Sequence, residues 1–244
     1  MSNHSNTSNL SNPSPQSYNS ISVLHTDNHT IVVNKRAGDI VQGDKTGDEP
    51  LSEKVKQYIK VEFNKPGNVF CGVVHRLDRP TSGAIVFART SKGLSRLNEQ
   101  FRGKSTRKVY WAVVEEMPEK KEATLTHYLK RNEKQNKSYA SDRETEGSKK
   151  AVLHYRWLQS SDKYHLLEVT LETGRHHQIR CQLSKIGSII KGDLKYGAKR
   201  SNKDGSIHLH ARELEYDHPT SKERVTVIAP VPQESLWQFF EKGK

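Results

Sequence analysis

The sequence predicts an α+β fold: a single domain with a mixed, largely antiparallel central sheet flanked by helices. Three observations point there. Segments with period-two alternation outnumber those with a period near 3.6. Strand-like segments mostly follow one another instead of alternating regularly with helices. Apolar residues are only 32% of 244 positions, at a mean hydropathy of −0.85, yet they gather in these segments, and one core is feasible.

Taken in order, residues 1–20 stand apart. Serine recurs at every third position from Ser2 to Ser20, with no Asp, Glu, Lys or Arg between. Such a stretch buries too little apolar surface to offset ordering, so a disordered Ser/Asn-rich tail is expected, with the domain spanning 21–244. No apolar stretch suggests a secretory signal or a membrane span, and a cytoplasmic protein is expected.

Ser22–His25 and Thr30–Asn34 read as strands around the turn Thr26-Asp27-Asn28-His29. Pro50 to Phe63 suits a helix, with Leu51, Val55, Tyr58 and Ile59 near helical spacing. Ala84–Ala88 reads as a buried strand, and Ser91 is expected to cap a helix whose stripe is Leu94, Leu97 and Phe101. Arg107 to Glu115 alternates, with Val109, Trp111 and Val113 on one face and Tyr110, Ala112 and Val114 on the other. Residues 117–150 are charge-rich and suggest an exposed hairpin or insertion. Leu153, Tyr155 and Trp157 share a strand face, as do His165, Leu167, Val169 and Leu171. Arg175 to Ile186 reads as a helix burying Ile179, Leu183 and Ile186. Ile207, Leu209 and Ala211 are out of phase with Leu214 and Tyr216, which predicts a bulge near Arg212. Val225–Ile228 is a last strand and Pro232–Phe240 a last helix.

The net charge of +12 is unevenly spread. Residues 76–108 and 175–203 each carry +7, more together than the whole chain. If folding joins these windows, they form a cationic cleft suited to a polyanion, with nucleic acid the favoured partner. Cys71 and Cys181 make no disulfide framework or metal spacing and read as reduced packing residues.

The first window opens with His75-Arg76-Leu77-Asp78-Arg79-Pro80-Thr81-Ser82-Gly83. Pro80 restricts itself and Arg79, and Gly83 admits angles that a Cβ resists. Asp78 is either a carboxylate held stiffly for chemistry or an ordinary acid in a polar turn. In Thr173–Leu183, Arg180 falls about 100° from the Ile179 direction. There it can reach inward and grip a carboxylate, or stay solvated on a surface helix. Tyr110 is either a core ring or a platform on which a base stacks.

Together His75–Gly83, Lys108–Val114 and Gly174–Leu183 resemble, in that order, the three motifs of the RluA family of pseudouridine synthases. Gly187–Asp193 with Tyr196-Gly197, and His208–Ala211 leading to Asp217-His218-Pro219, extend the likeness over residues 21–232. Cys181 and Gln182 stand where valine or arginine, then histidine, are common. Many members carry a small RNA-binding domain (S4) in front; the tail stands there in this sequence, and a member without that domain is expected. The resemblance implies the pseudouridine synthase fold and isomerisation of a uridine in structured RNA, ribosomal or transfer, without cofactor or metal. It implies Asp78 as the catalytic aspartate, Tyr110 as the active-site tyrosine and Arg180 as the cation paired with Asp78. Arg76 would take the place of the displaced base. Arg79, Lys108, Arg175 and His177 are expected to contact RNA, and a monomer is expected. A non-catalytic RNA-binding protein would explain the charge but not the lone acid. A zinc hydrolase could use His208 and His210, though no further ligand spacing accompanies them.

Overall fold

The computed structural model describes residues 21–44, 46–103 and 105–243. The expected tail of residues 1–20 lies outside them.

Strands β1 (Ser22–Thr26) and β2 (Thr30–Lys35) pair around a turn held by Asp27. Its carboxylate accepts from the His29 and Thr30 backbone N–H groups and from the Thr30 hydroxyl. Burial disfavours its charge, yet these bonds hold it well below the usual carboxylate range. Helix α1 (Leu51–Glu62) starts after Pro50, and β3 (Gly72–Val73) is a short bridge onto β4 (Ser82–Ala88). Strand β4 begins two residues before its apolar run, and all seven residues are buried. Thr90, not Ser91, caps α2 (Ser91–Gly103): its Oγ1 accepts from the Gly93 N–H at 3.0 Å. The stripe of that helix packs on the sheet with Leu97 fully buried, a contribution of about 1.5–3 kcal/mol.

Strand β5 (Arg107–Val114) is central, between β10 (Leu209–Asp217) and β9 (His165–Leu171). Its alternation separates two cores: Tyr110, Ala112 and Val114 join the larger, Trp111 and Val113 a smaller one. The charge-rich stretch forms the hairpin β6 (Glu122–Asn132) and β7 (Lys137–Ser141). It is part of the sheet, because β6 pairs along β8 (Lys149–Ser160). The sheet order is β1-β2-β4-β10-β5-β9-β8-β6-β7, with only β10–β4 parallel among the described pairs. The expected bulge appears as a register shift between Ala211 and Glu213, which sends Leu214 and Tyr216 to the face opposite Leu209 and Ala211. Strand β11 (Arg224–Ile228) follows β10, and α4 (Ser235–Lys242) closes the chain. That helix starts later than Pro232 because the Glu234 side chain caps it, accepting from Leu236 and Trp237.

Helix α3 (Gln178–Lys185) departs most from expectation. It begins three residues after Arg175, since His177 is left-handed at φ 54°. The Gln178 Oε1 accepts from the Thr173 hydroxyl and the Arg175 N–H, turning residues 173–177 into a loop folded against the helix start. Residues 178–183 are all buried, so α3 is no surface helix.

Candidate active site

The sheet register brings the three sequence elements together. Gly83 of β4 lies beside Ala211 of β10, and Ala211 beside Tyr110 of β5. Gly83 has φ 119°, and a Cβ there would fall 2.7 Å from the Ala211 carbonyl carbon, so the close parallel pairing requires glycine. Just upstream, Leu77 sits in the core while Arg76 and Asp78 border a cavity of about 110 Å³ with Tyr110, Arg180 and His177. Asp78 is the only carboxylate among the described residues lining that cavity.

The Asp78 loop is fastened from below by Lys35, which is 1% exposed. Its ammonium donates to the carbonyls of Arg36 (2.9 Å), Arg79 (3.1 Å) and Thr81 (2.7 Å). Burial pushes its pKa down to about 8, against the opposing pull of Asp39 and Asp78. His75 closes the other flank: its ring stacks on Phe101 at 4.7 Å, and Nε2 accepts from the Val86 N–H at 3.2 Å. Burial lowers it to about 3, so it is neutral. The Thr81 hydroxyl is buried without a hydrogen-bond partner beside the cavity.

Arg180 reaches inward and is 5% exposed, as the inward reading expects. Its two-bonded partner, however, is Asp193, through Nε–Oδ2 at 2.7 Å and Nη2–Oδ1 at 2.8 Å. Asp78 receives the remaining bond, Nη1–Oδ2 at 2.9 Å. Burial opposes the charge of Arg180, but Asp193 and then Asp78 more than restore it, raising its pKa. Tyr110 is 8% exposed, and burial, then the charge of Asp78, raises its hydroxyl. Tyr110 is therefore both a core ring and a cavity wall.

Among the residues expected to contact RNA, Arg76 is exposed at the cavity mouth. Arg79, Lys108 and Arg175 line a larger groove of about 1020 Å³ that contains the cavity mouth. Arg79 is paired with Asp48 at 2.6 Å, and Arg175 Nε donates to the Lys150 carbonyl at 3.1 Å. His177 is different: it is 9% exposed, and burial lowers it to about 3, so it brings no cationic charge to the groove. Its Nε2 lies 3.6 Å from Asp78, and its Nδ1 meets the Tyr196 hydroxyl at 3.0 Å. If Tyr196 donates to Nδ1, the ring keeps its proton on Nε2, facing the carboxylate.

Both basic windows meet at this groove: Arg76, Arg79, Arg102 and Lys108 come from the first, Arg175, Arg180 and Lys195 from the second. Arg131 of β6 adds a cation that neither window contains. Sequence reasoning missed Lys35 and the roles of Asp193 and Tyr196, although the last two stood in the matched Gly-Asp and Tyr-Gly pairs. His208 and His210 face Trp237 and hydrogen-bond Glu234 and Ser82, respectively. No group of three metal-ligating side chains occurs among the described residues.

A family model described as RNA pseudouridylate synthase matches residues 29–185. The chain is 33% identical over 216 residues to an uncharacterized RNA pseudouridine synthase of Synechocystis sp., covering 87% of this chain and 66% of the relative. It is 32% identical over 222 residues to the uncharacterized RNA pseudouridine synthase YhcT of Bacillus subtilis, covering 88% and 70%. With the ribosomal large subunit pseudouridine synthase D of Zymomonas mobilis it shares 31% over 229 residues, covering 90% and 72%. The chain thus spans about two thirds of the length of these relatives. Human RNA pseudouridylate synthase domain containing 4 has the same fold, at a TM-score of 0.75 and 23% identity over 90% of this chain and 92% of that one.

Proposed function

The chain belongs to the RNA pseudouridylate synthase family and, within it, to the RluA family, and from that premise we propose that Asp78, Tyr110 and Arg180 convert a uridine of large-subunit ribosomal RNA to pseudouridine. The reaction breaks the bond between ribose C1′ and uracil N1, turns the base and joins C1′ to C5. The C5 proton leaves and N1 becomes N–H, so atoms balance without an oxidant or reductant. A stacked uracil cannot turn. The nucleotide must enter the cavity, at a cost of a few kcal/mol that phosphate contacts along the groove offset. Arg76 fills the vacated position.

In this reading Asp78 acts as a carboxylate, as nucleophile or as base toward the sugar, and Arg180 holds it there. Tyr110 stacks on the uracil, and its hydroxyl, kept protonated by burial, takes part in moving the C5 proton. The ribosomal choice rests on relatives whose names carry that substrate. A monomer in the cytoplasm is part of the same proposal.

The observation that carries the reading is Asp78, the one carboxylate among the described residues lining a cavity walled by Tyr110 and Arg180 and opening on a cationic groove. The test uses full-length protein and transcripts of large-subunit ribosomal RNA and of transfer RNAs labelled with 5-tritiated uridine. Wild type is expected to release tritium from the ribosomal transcript, and Asp78→Asn to release none while binding that RNA within about threefold of wild type. Release by Asp78→Asn at the wild-type rate would remove Asp78 from the chemistry. Release from transfer RNA alone would move the substrate.

A further inference from the structure

The turn after α3 carries a buried carboxylate that the proposed reaction leaves unused. Asp193 is 1% exposed and does not line the reaction cavity. Its two oxygens grip the edge of Arg180 formed by Nε and Nη2, at 2.7 and 2.8 Å. That is the geometry in which a planar guanidinium binds a carboxylate most specifically. Nη1 lies outside that edge and is the nitrogen that meets Asp78, at 2.9 Å. One cation is thus shared unequally between two acids. A guanidinium that turned to hold Asp78 with two bonds would strand Asp193 in the core.

Asp193 is itself fixed through its backbone. Its N–H donates to the Ile190 carbonyl at 3.0 Å, and its carbonyl accepts from Tyr196 (3.0 Å) and Ala198 (3.1 Å). Gly192, at φ 85°, lets the turn pass so close to Asn202 that a Cβ would fall 2.7 Å from its side-chain nitrogen. The same turn supplies Tyr196, whose ring centroid is 5.1 Å from the Arg180 guanidinium and whose hydroxyl meets His177. Both groups beside Asp78, Arg180 and His177, are therefore braced from one short segment.

We infer that Asp193 is a positioning residue: its side-on grip confines Arg180 to one hydrogen bond with Asp78 and so sets where the reacting carboxylate lies. The inference rests on the proposed role of Asp78. A merely structural Asp193 would need only to balance the buried charge, which any carboxylate at this position could do. A positioning Asp193 depends on its length as well, because one extra methylene pushes the guanidinium toward Asp78.

The test compares Asp193→Glu and Asp193→Asn with wild type and Asp78→Asn, using tritium release from the ribosomal transcript, RNA binding and thermal melting. Asp193→Glu is expected to melt near wild type and keep KM within about twofold, while kcat falls about tenfold. Asp193→Asn, where folded, is expected to lose about 100-fold in kcat, the scale of an ångström misplacement of a reacting group. Wild-type kcat in Asp193→Glu overturns the inference. So does a failure of both variants to fold at the assay temperature, which would make Asp193 structural alone. If Asp78→Asn is inactive while the Asp193 variants change melting only, this inference fails and the proposed reaction stands. An active Asp78→Asn removes the proposed reaction first.

Discussion

Lys35 shows how much of this site depends on backbone held by one side chain. Its three ammonium protons match three carbonyls, two of them flanking Pro80 in the Asp78 loop. A methionine fills similar space but donates nothing, leaving three carbonyls unsatisfied in a buried place. Each unsatisfied group costs about 1–3 kcal/mol, less where the loop relaxes toward water. Lys35→Met is therefore expected to lower the melting temperature and to reduce tritium release by more than the loss of folded protein explains. Equal activity per folded molecule would show that the loop holds its shape unaided. None of this was legible beforehand, because Lys35 bonds backbone atoms 44 and 46 residues away and matches no motif of charged partners. Asp78 and Arg180 were legible from motif order. The sharing of Arg180 was not, since a lone Asp at 193 carries no mark of burial.

At the scale of elements, legibility followed periodicity. The phase change between Ala211 and Leu214 announced the bulge because each phase points to a different core, and no straight strand can serve both. The start of α3 was hidden for the opposite reason. Arg175, His176 and His177 have ordinary helical propensity, and a side-chain bond from Gln178 with a left-handed His177 overrides it. The hairpin β6–β7 was legible in its charge-rich stretch as an exposed hairpin or insertion; that it places Arg131 in the groove, where α2 supplies Arg102, was not. Arg102→Gln and Arg131→Gln are each expected to weaken binding of the ribosomal transcript and to flatten the plot of log affinity against log salt by about one unit. The kcat at saturating RNA should stay within about twofold. An unchanged slope would place the RNA backbone elsewhere.

Across the whole molecule, the same burial that builds the site ties stability to pH. His75, His177, His208 and His210 are held neutral, with pKa values pushed down chiefly by burial to about 3, 3, 4 and 4. In the unfolded chain each returns to about 6.5. Between those limits the unfolded state binds more protons than the native one, so the stability that these histidines contribute is present above about pH 6.5 and is lost as pH falls toward 4. Each extra proton tilts the balance by about 1.4 kcal/mol per pH unit, and domains of this kind hold only about 5–15 kcal/mol in total. The fold is therefore expected to lose stability on acidification as these four histidines charge in the unfolded chain. The urea midpoint should be level between about pH 7 and 8, below the range where the buried Lys35 titrates, and drop steeply from pH 6 to 5, with more than one proton taken up per molecule unfolded. His75 and His177 brace the Asp78 loop and the start of α3, and activity should fall along the same curve as stability. A midpoint that held steady down to pH 5 would mean that these rings are charged in the native state. The neutral His177 beside Asp78 would then be wrong as well.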